Sequence, residues 1–265
     1  MINTKSIYRS ANGGLTWDSV ATFNTNLINI FIAPGNKAFF VGKGSPSVYR
    51  TLDFGATFTT INTGSNTPWD VYFTDNTNGF LLASNGLYAS ADGGTTWNLV
   101  NTPYLNLTGG VYESLYFSDP VTGVIPTGSK IYRCNGSIQN WQFVPVNTGG
   151  SYTPNFQNIS VPSANVIYVS SEGGMLYKST DGGASFNFVS NLNVPGSPGF
   201  MDIHFLTDLI GYASYSRYIF KTTDGGLSWT KVVSLGEDVI SEIHFTDAGH
   251  GWACGTSGTV LIFKP

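Results

Sequence analysis

Charge is scarce in this chain. Asp, Glu, Lys and Arg together make up 11% of its 265 residues, against roughly a quarter in an average soluble domain. Four of them are arginines (Arg9, Arg50, Arg133 and Arg217), and the net charge is −4. Binding to nucleic acid needs a basic stripe that displaces counterions from phosphates. Nucleic-acid partners are therefore excluded, and acidic membrane surfaces are disfavoured on the same ground. Cysteine is almost missing too. Cys134 and Cys254 lie far apart in sequence, so no disulfide between them is expected, and no metal-ligand spacing or cofactor motif arises. Apolar runs such as residues 27–33 are strand-length, which predicts no membrane-spanning helix. Met1-Ile-Asn-Thr-Lys5 leads straight into repeated sequence, so no signal peptide is expected. That leaves a virion part, a protein exported without a cleaved leader, or a cytosolic one.

Aromatic residues and glycine are abundant instead: aromatics reach 14%, hydrophobic residues 41%, and there are 32 glycines. The segment Ser90-Ala-Asp-Gly-Gly-Thr-Thr-Trp97 has near-copies at residues 10–17, 51–58, 179–186 and 222–229, and a worn copy at 134–141. Their last residues, Trp17, Phe58, Trp97, Trp141, Phe186 and Trp229, are spaced 41, 39, 44, 45 and 43 apart. A period near forty in β-rich sequence is that of a four-stranded propeller blade. Residues 1–265 are read as one all-β domain, a six-bladed β-propeller of antiparallel blades.

Laid on each other, the repeats predict first strands at residues 27–32, 69–73, 112–117, 156–161, 201–205 and 241–245, each bounded by Gly, Asn or Asp. Third strands carry an aliphatic–aromatic–basic signature: Ile7-Tyr-Arg9, Val48-Tyr-Arg50, Ile131-Tyr-Arg133, Leu176-Tyr-Lys178 and Ile219-Phe-Lys221. First, second and fourth strands number six. Third strands number seven, because the chain both opens and closes with one. A last blade completed by both termini is expected, which would remove a free sheet edge.

Within the repeated segment the chain must turn sharply between third and fourth strands. Asp53, Asp92, Asp181 and Asp224 can accept backbone N–H groups there, as can Asn12 in the first copy, and the following glycines permit positive φ. Trp17, Phe58, Trp97, Phe186 and Trp229 are expected to pack beneath the hairpin. In the worn copy Gly136 takes the Asp position, so that hairpin must turn differently. The pattern Ser/Thr-x-Asp-x-Gly-x-Thr-Trp resembles the Asp-box, or bacterial neuraminidase repeat, over essentially the whole chain. Phe245-Thr-Asp followed by Gly251-Trp-Ala-Cys-Gly, with Ile219-Phe-Lys-Thr-Thr-Asp-Gly-Gly-Leu-Ser-Trp229, is most similar to propellers of the photosystem II stability/assembly-factor type. That resemblance implies a non-enzymatic assembly scaffold. Asp-box propellers also include sialidases, other glycoside hydrolases, sortilin-type receptors and domains of secreted or viral proteins.

A sialidase would need three arginines converging on one substrate carboxylate. Arg9, Arg50 and Arg133 occupy one repeat position, which spreads them around the ring, so sialidase activity is rejected. The first strands offer a denser constellation. Three residues before each strand's final anchor stand Asn29, Asp70, Ser114, Asn158, Asp202 and Glu242. One residue before the anchor stand Phe31, Tyr72, Tyr116, Ser160, His204 and His244. Strand periodicity puts both sets on one side, facing the channel. From these, Asn29, Asp70, Tyr72, Tyr116, Asn158, Asp202, His204, Glu242 and His244 are the candidate ligand-binding residues. Trp69, Tyr104, Tyr112 and Tyr152, in or beside segments joining blades, form a second candidate surface for a sugar or protein partner.

Three readings of the ring stay open: a solvated channel, a binding site for a cation, sugar or peptide end, and paired-carboxylate glycoside hydrolysis. The functional expectation is a non-enzymatic binding or scaffold propeller without metal or cofactor. It would belong to a virion, phage tail or cell surface, recognise a protein or glycan, and work within a larger assembly. An assembly factor is the alternative, and a glycoside hydrolase ranks third.

Overall fold

The computed structural model describes residues 2–3, 5–33, 35–103, 105, 107, 114–192, 201–247 and 249–264. The fold is an all-β, six-bladed propeller of small antiparallel sheets, as the repeat spacing predicts. Two 3-10 turns, Glu172–Gly174 and Thr256–Gly258, are the only helix among the described residues. By contact density the chain divides into two units. The first (residues 1–125 and 132–142) holds the sheets of residues 2–22, 27–62 and 68–99, and most of the sheet of residues 116–143. The second (126–131 and 143–265) holds the sheets of residues 146–191, 201–234 and 240–263.

Inner strands run Leu27–Ala33, Pro68–Phe73, Tyr116–Asp119, Phe156–Ser160, Met201–Phe205 and Ile240–Asp247. Two differences from expectation concern edges. Residues 146–191 form a five-stranded sheet, because Val146–Asn147 pairs parallel to Phe186–Asn191 at its outer edge. In hydrogen-bonded pairing, the described residues at the two ends of the chain form two three-stranded sheets. Ile2–Asn3, Ser6–Arg9 and Asp18–Thr22 make one, and Ile240–Asp247, His250–Gly255 and Val260–Phe263 the other. The surplus third strand explains this. Ser6–Arg9 finds a partner in the residues just before it, with Ile2 opposite Ile7 and Asn3 opposite Ser6. Pairing this local costs little loop-closure entropy.

The core is built around a phenylalanine carried by four of the six inner strands. Phe73, Phe117, Phe205 and Phe245 face Gly79, Gly123, Gly211 and Gly251 across the sheet. Each ring lies over its glycine: a methyl group on Gly211 would sit 2.5 Å from the Phe205 ring, and one on Gly123 2.7 Å from Phe117. On the opposite face each ring stacks on an aromatic of the preceding blade. Phe39 stacks on Phe73 (centroids 4.1 Å), Phe80 on Phe117 (3.6 Å), Tyr168 on Phe205 (3.6 Å) and Tyr212 on Phe245 (3.7 Å). Edge-on contacts from Trp97, Trp141 and Trp229 complete three of these clusters. Such aromatic pairs contribute about 0.5–1.5 kcal/mol each beyond their buried area. Where the anchor is Ile32, the opposing residue is Ala38, since an aliphatic side chain leaves room for a Cβ.

The repeated turn is held by one side-chain network. Ser90 Oγ donates to Asp92 Oδ1 (2.8 Å) and accepts the buried Gly94 N–H (2.9 Å). The N–H of Thr96 donates to Asp92 Oδ1 (2.9 Å) and its hydroxyl to Oδ2 (2.6 Å). The same bonds recur at residues 51–57, 179–185 and 222–228. In the first copy Asn12 accepts from Ser10 and from the Thr16 N–H, while its amide donates to the Thr16 hydroxyl, reversing that one bond. Hydrogen bonds from Thr57, Thr96 and Ser228 hold Asp53, Asp92 and Asp224 ionised, with pKa near 2. The worn copy turns differently, as expected. Gly136 adopts φ 80°, and the Trp141 indole N–H donates to the Ile138 carbonyl (2.7 Å).

Two outcomes test this core. Gly211→Ala is expected to destabilise by about 1–3 kcal/mol through overpacking, read by urea unfolding, and Phe205→Ile should recover part of it in that background. Ser90→Ala leaves the Gly94 N–H buried without its acceptor and should cost about 1–3 kcal/mol. Ser90→Thr should be near neutral, because Thr51 and Thr222 already fill that position. A neutral Ser90→Ala would contradict the assigned network.

Candidate functional site

The inner strands alternate as predicted. Val71, Leu115, Ile203 and Ile243 point into the core, and the polar and aromatic positions lie on the other side. Register shifts fall just before three of the polar residues: between Leu27 and Asn29, Pro68 and Asp70, and Ile240 and Glu242. A bulge of this kind re-aims the side chain that follows it.

In the first unit the polar positions are joined from strand to strand. Asn29 Nδ2 donates to Asp70 Oδ1 (2.8 Å), and Asp70 Oδ1 also accepts its neighbour's Val71 N–H (2.8 Å). Asp70 Oδ2 accepts the buried Leu115 N–H of the next repeat (2.9 Å). The second unit repeats the device. Asn158 Nδ2 donates to Asp202 Oδ1 (2.6 Å), and Asp202 Oδ2 accepts the Ile243 N–H (2.7 Å). Ser160 plays a similar part by accepting the Phe205 N–H (2.8 Å). Each Asn–Asp pair thus spans three successive inner strands, satisfying backbone groups that burial would otherwise penalise.

The second set of positions is aromatic in the first unit. Phe31 and Tyr72 have centroids 5.1 Å apart and planes tilted by 56°. Tyr72 and Tyr116 are 5.6 Å apart at 67°. All three are half-buried. Burial, with help from Tyr116 and Asp70, pushes the Tyr72 phenol up to about 12, and burial also raises Tyr116. Both hydroxyls therefore stay neutral. Weighting titratable residues passes over Phe31, whose place in the row is legible only from its repeat position.

In the second unit the same positions bring His204 and His244 together, with centroids 4.9 Å apart. Burial, and then the neighbouring Glu242, pushes Asp202 up to about 8, and burial raises Glu242. His204 is lowered to about 4 by burial and by His244, and burial lowers His244. Glu242 and His244 reach solvent, yet enough protein surrounds them to disfavour their charged forms. Among the described residues, no group of three or more His, Cys, Asp or Glu is arranged to hold a metal. Cys134 and Cys254 are free thiols.

The second candidate surface is only partly in view. Trp69 sits within the strand Pro68–Phe73 and packs partly against the core, so it is not a free loop aromatic. Tyr152 is 44% exposed. Tyr104 and Tyr112 lie outside the described residues. Two clefts of about 590 and 490 Å³ are lined by residues between Asn78 and Gln139, and neither includes an inner-strand candidate. Basic residues of the third strands reach the next repeat. Arg9 Nη1 donates to the Phe54 carbonyl (2.8 Å), and Arg50 Nη1 to the Gly93 carbonyl (3.0 Å). Lys178 Nζ points at the Asp208 carbonyl (3.4 Å) and covers the Tyr168 ring.

No family model and no curated protein matches the chain. Solved structures do. The fold is similar to YCF48 from Cyanidioschyzon merolae, with TM-score 0.75 and 18% identity over 98% of this chain and 88% of that one. It is similar to YCF48 bound to D1 peptide, with TM-score 0.73 and 17% identity over 98% and 87%. It also matches the GH74 xyloglucanase from Xanthomonas campestris, with TM-score 0.72 and 15% identity over 98% of this chain but 48% of that enzyme. At such identities the likeness is one of fold. It joins a protein seen with a bound peptide and an enzyme alike.

The titrations have signs that can be checked. A carboxyl raised as Asp202 is keeps a proton that the unfolded chain releases near pH 3.8, so its contribution fades as pH climbs towards 8. His204 acts oppositely: the unfolded chain takes a proton below about 6.5 that the folded one refuses until about 4. The carboxyl should therefore make stability decline between pH 6.5 and 8, where the histidine contributes no slope. Asp202→Asn should flatten that decline in urea unfolding at stepped pH. An unchanged slope in the variant would contradict the assignment.

Proposed function

We propose that the chain is a non-catalytic binding propeller, a rigid scaffold that takes a segment of a partner protein on its inner-strand surface. The observation that carries this reading is the occupancy of Asp70 and Asp202. Both oxygens of each accept protein N–H groups within 3 Å. Glycoside hydrolysis needs one carboxyl to protonate the leaving group and a second with free lone pairs towards substrate or water. Carboxyl groups whose oxygens are bonded to the backbone of the next strand act as structural parts in this reading. The existence of a similar fold named as bound to a peptide, YCF48 with D1 peptide, supports the binding reading.

The turn network of Ser/Thr, Asp and Ser/Thr supports placing the repeat with the Asp-box, and the third-strand signature supports a relationship to assembly-factor propellers. The sparse charge and the Asn-, Thr- and Gly-rich sequence favour a virion or cell-surface setting, which neighbouring tail or capsid genes would support. Glycan recognition is the competing reading, and exposed Tyr152 is the observation in its favour.

Cross-linking of the full chain in its native extract should capture one stoichiometric protein partner. A glycan array and aryl glycosides should give no signal. Hydrolysis that disappears in both Asp70→Asn and Glu242→Gln would overturn the reading.

A further inference from the structure

The row Phe31–Tyr72–Tyr116 has a shape and an electrostatic setting that say more than binding in general. The rings come from three successive inner strands and are tilted to one another by 56° and 67°. They form successive walls, and a flat sugar ring could lie on no more than one of them. All three rings remain partly open to solvent. Aromatic faces carry negative quadrupole potential, which attracts cations and does so most strongly where water is thinned out.

Charge around the row points the same way. Asp70 lies two residues before Tyr72 on the same side of the strand, and its negative charge acts on the Tyr72 phenol. The strands Leu27–Ala33, Pro68–Phe73 and Tyr116–Asp119 contain no lysine or arginine. An anion would find no counter-charge on them. A compact cation would meet a row of half-buried aromatic rings and a nearby acidic group whose hydrogen bonds already fix its position.

Resting on the binding-scaffold reading and deepening it, we propose that Phe31, Tyr72 and Tyr116 form an aromatic site for an alkylammonium group. The group is the head of a lysine or methylated lysine on the partner segment. Asp70 supplies the field without direct contact, so it is a positioning residue, and the rings make the contact.

The test uses the full chain and choline as the probe. Its controls are choline's uncharged carbon analogue, in which a tert-butyl group replaces the trimethylammonium, and glucose. Binding is read by chemical shifts of the tyrosine rings. Choline should bind at least about tenfold more tightly than the uncharged analogue, the factor expected of a partly desolvated cation–π site. Phe31→Leu and Tyr72→Leu should each weaken choline by a similar factor. Should Tyr72→Leu fail to fold, Phe31→Leu and the analogue comparison still decide. Equal binding of the uncharged analogue would overturn the proposal, as would preference for glucose or no binding of choline. Partner capture unaffected by Phe31→Leu would remove the ammonium site and leave the scaffold reading standing. Choline binding without any captured partner would do the reverse.

Discussion

Four of the six inner strands are each held by a phenylalanine ring pressed against glycine. Phe73, Phe117, Phe205 and Phe245 each leave no room for a Cβ on the opposing strand, and each stacks on an aromatic of the preceding blade at 3.6–4.1 Å. Contact on both faces fixes how far apart neighbouring inner strands lie. The separation lets a side chain as short as Asp reach the backbone of the next strand. The Asp70–Leu115 and Asp202–Ile243 bonds cross the same blade boundaries as the Phe80–Phe117 and Tyr212–Phe245 stacks.

Those bonds decide what the inner surface can do. Buried backbone N–H groups need acceptors, and here the carboxyl oxygens of Asp70 and Asp202 supply them. Asp70 and Asp202 are thereby tied to the backbone of the next strand, and Asn29 and Asn158 donate to them. In the first unit the next position on the same side of the strands holds the half-buried rings of Phe31, Tyr72 and Tyr116. The second unit has His204 and His244 there, kept neutral at pH 7 by burial. One repeat register thus carries two kinds of surface.

Much of this was legible in the sequence because repetition gives register. The spacing of Trp17 to Trp229 gave the blade count, and alternation along residues 27–32 or 69–73 gave the side on which Asn29 and Asp70 lie. Pairing was not legible. For Asn29 and Asp70 the sequence leaves a solvated channel, a binding site and catalysis all open, since no pattern says that an amide will meet a carboxyl group 41 residues away. The fate of the extra third strand was also hidden, because residues 2–3 form too short a strand to leave a periodic signal. Arg9 and Arg50 hold the same repeat position in sequence, but their partners, the turn carbonyls of Phe54 and Gly93, appear only in three dimensions.

The most direct measurement of the central claim is amide hydrogen exchange at Leu115 and Ile243. If Asp70 and Asp202 are structural acceptors, both amides should exchange as slowly as those of the buried strand Gly79–Ala83. Exchange at the rate of exposed loop amides would mean that the carboxylates are free, and would return them to the list of groups available for chemistry.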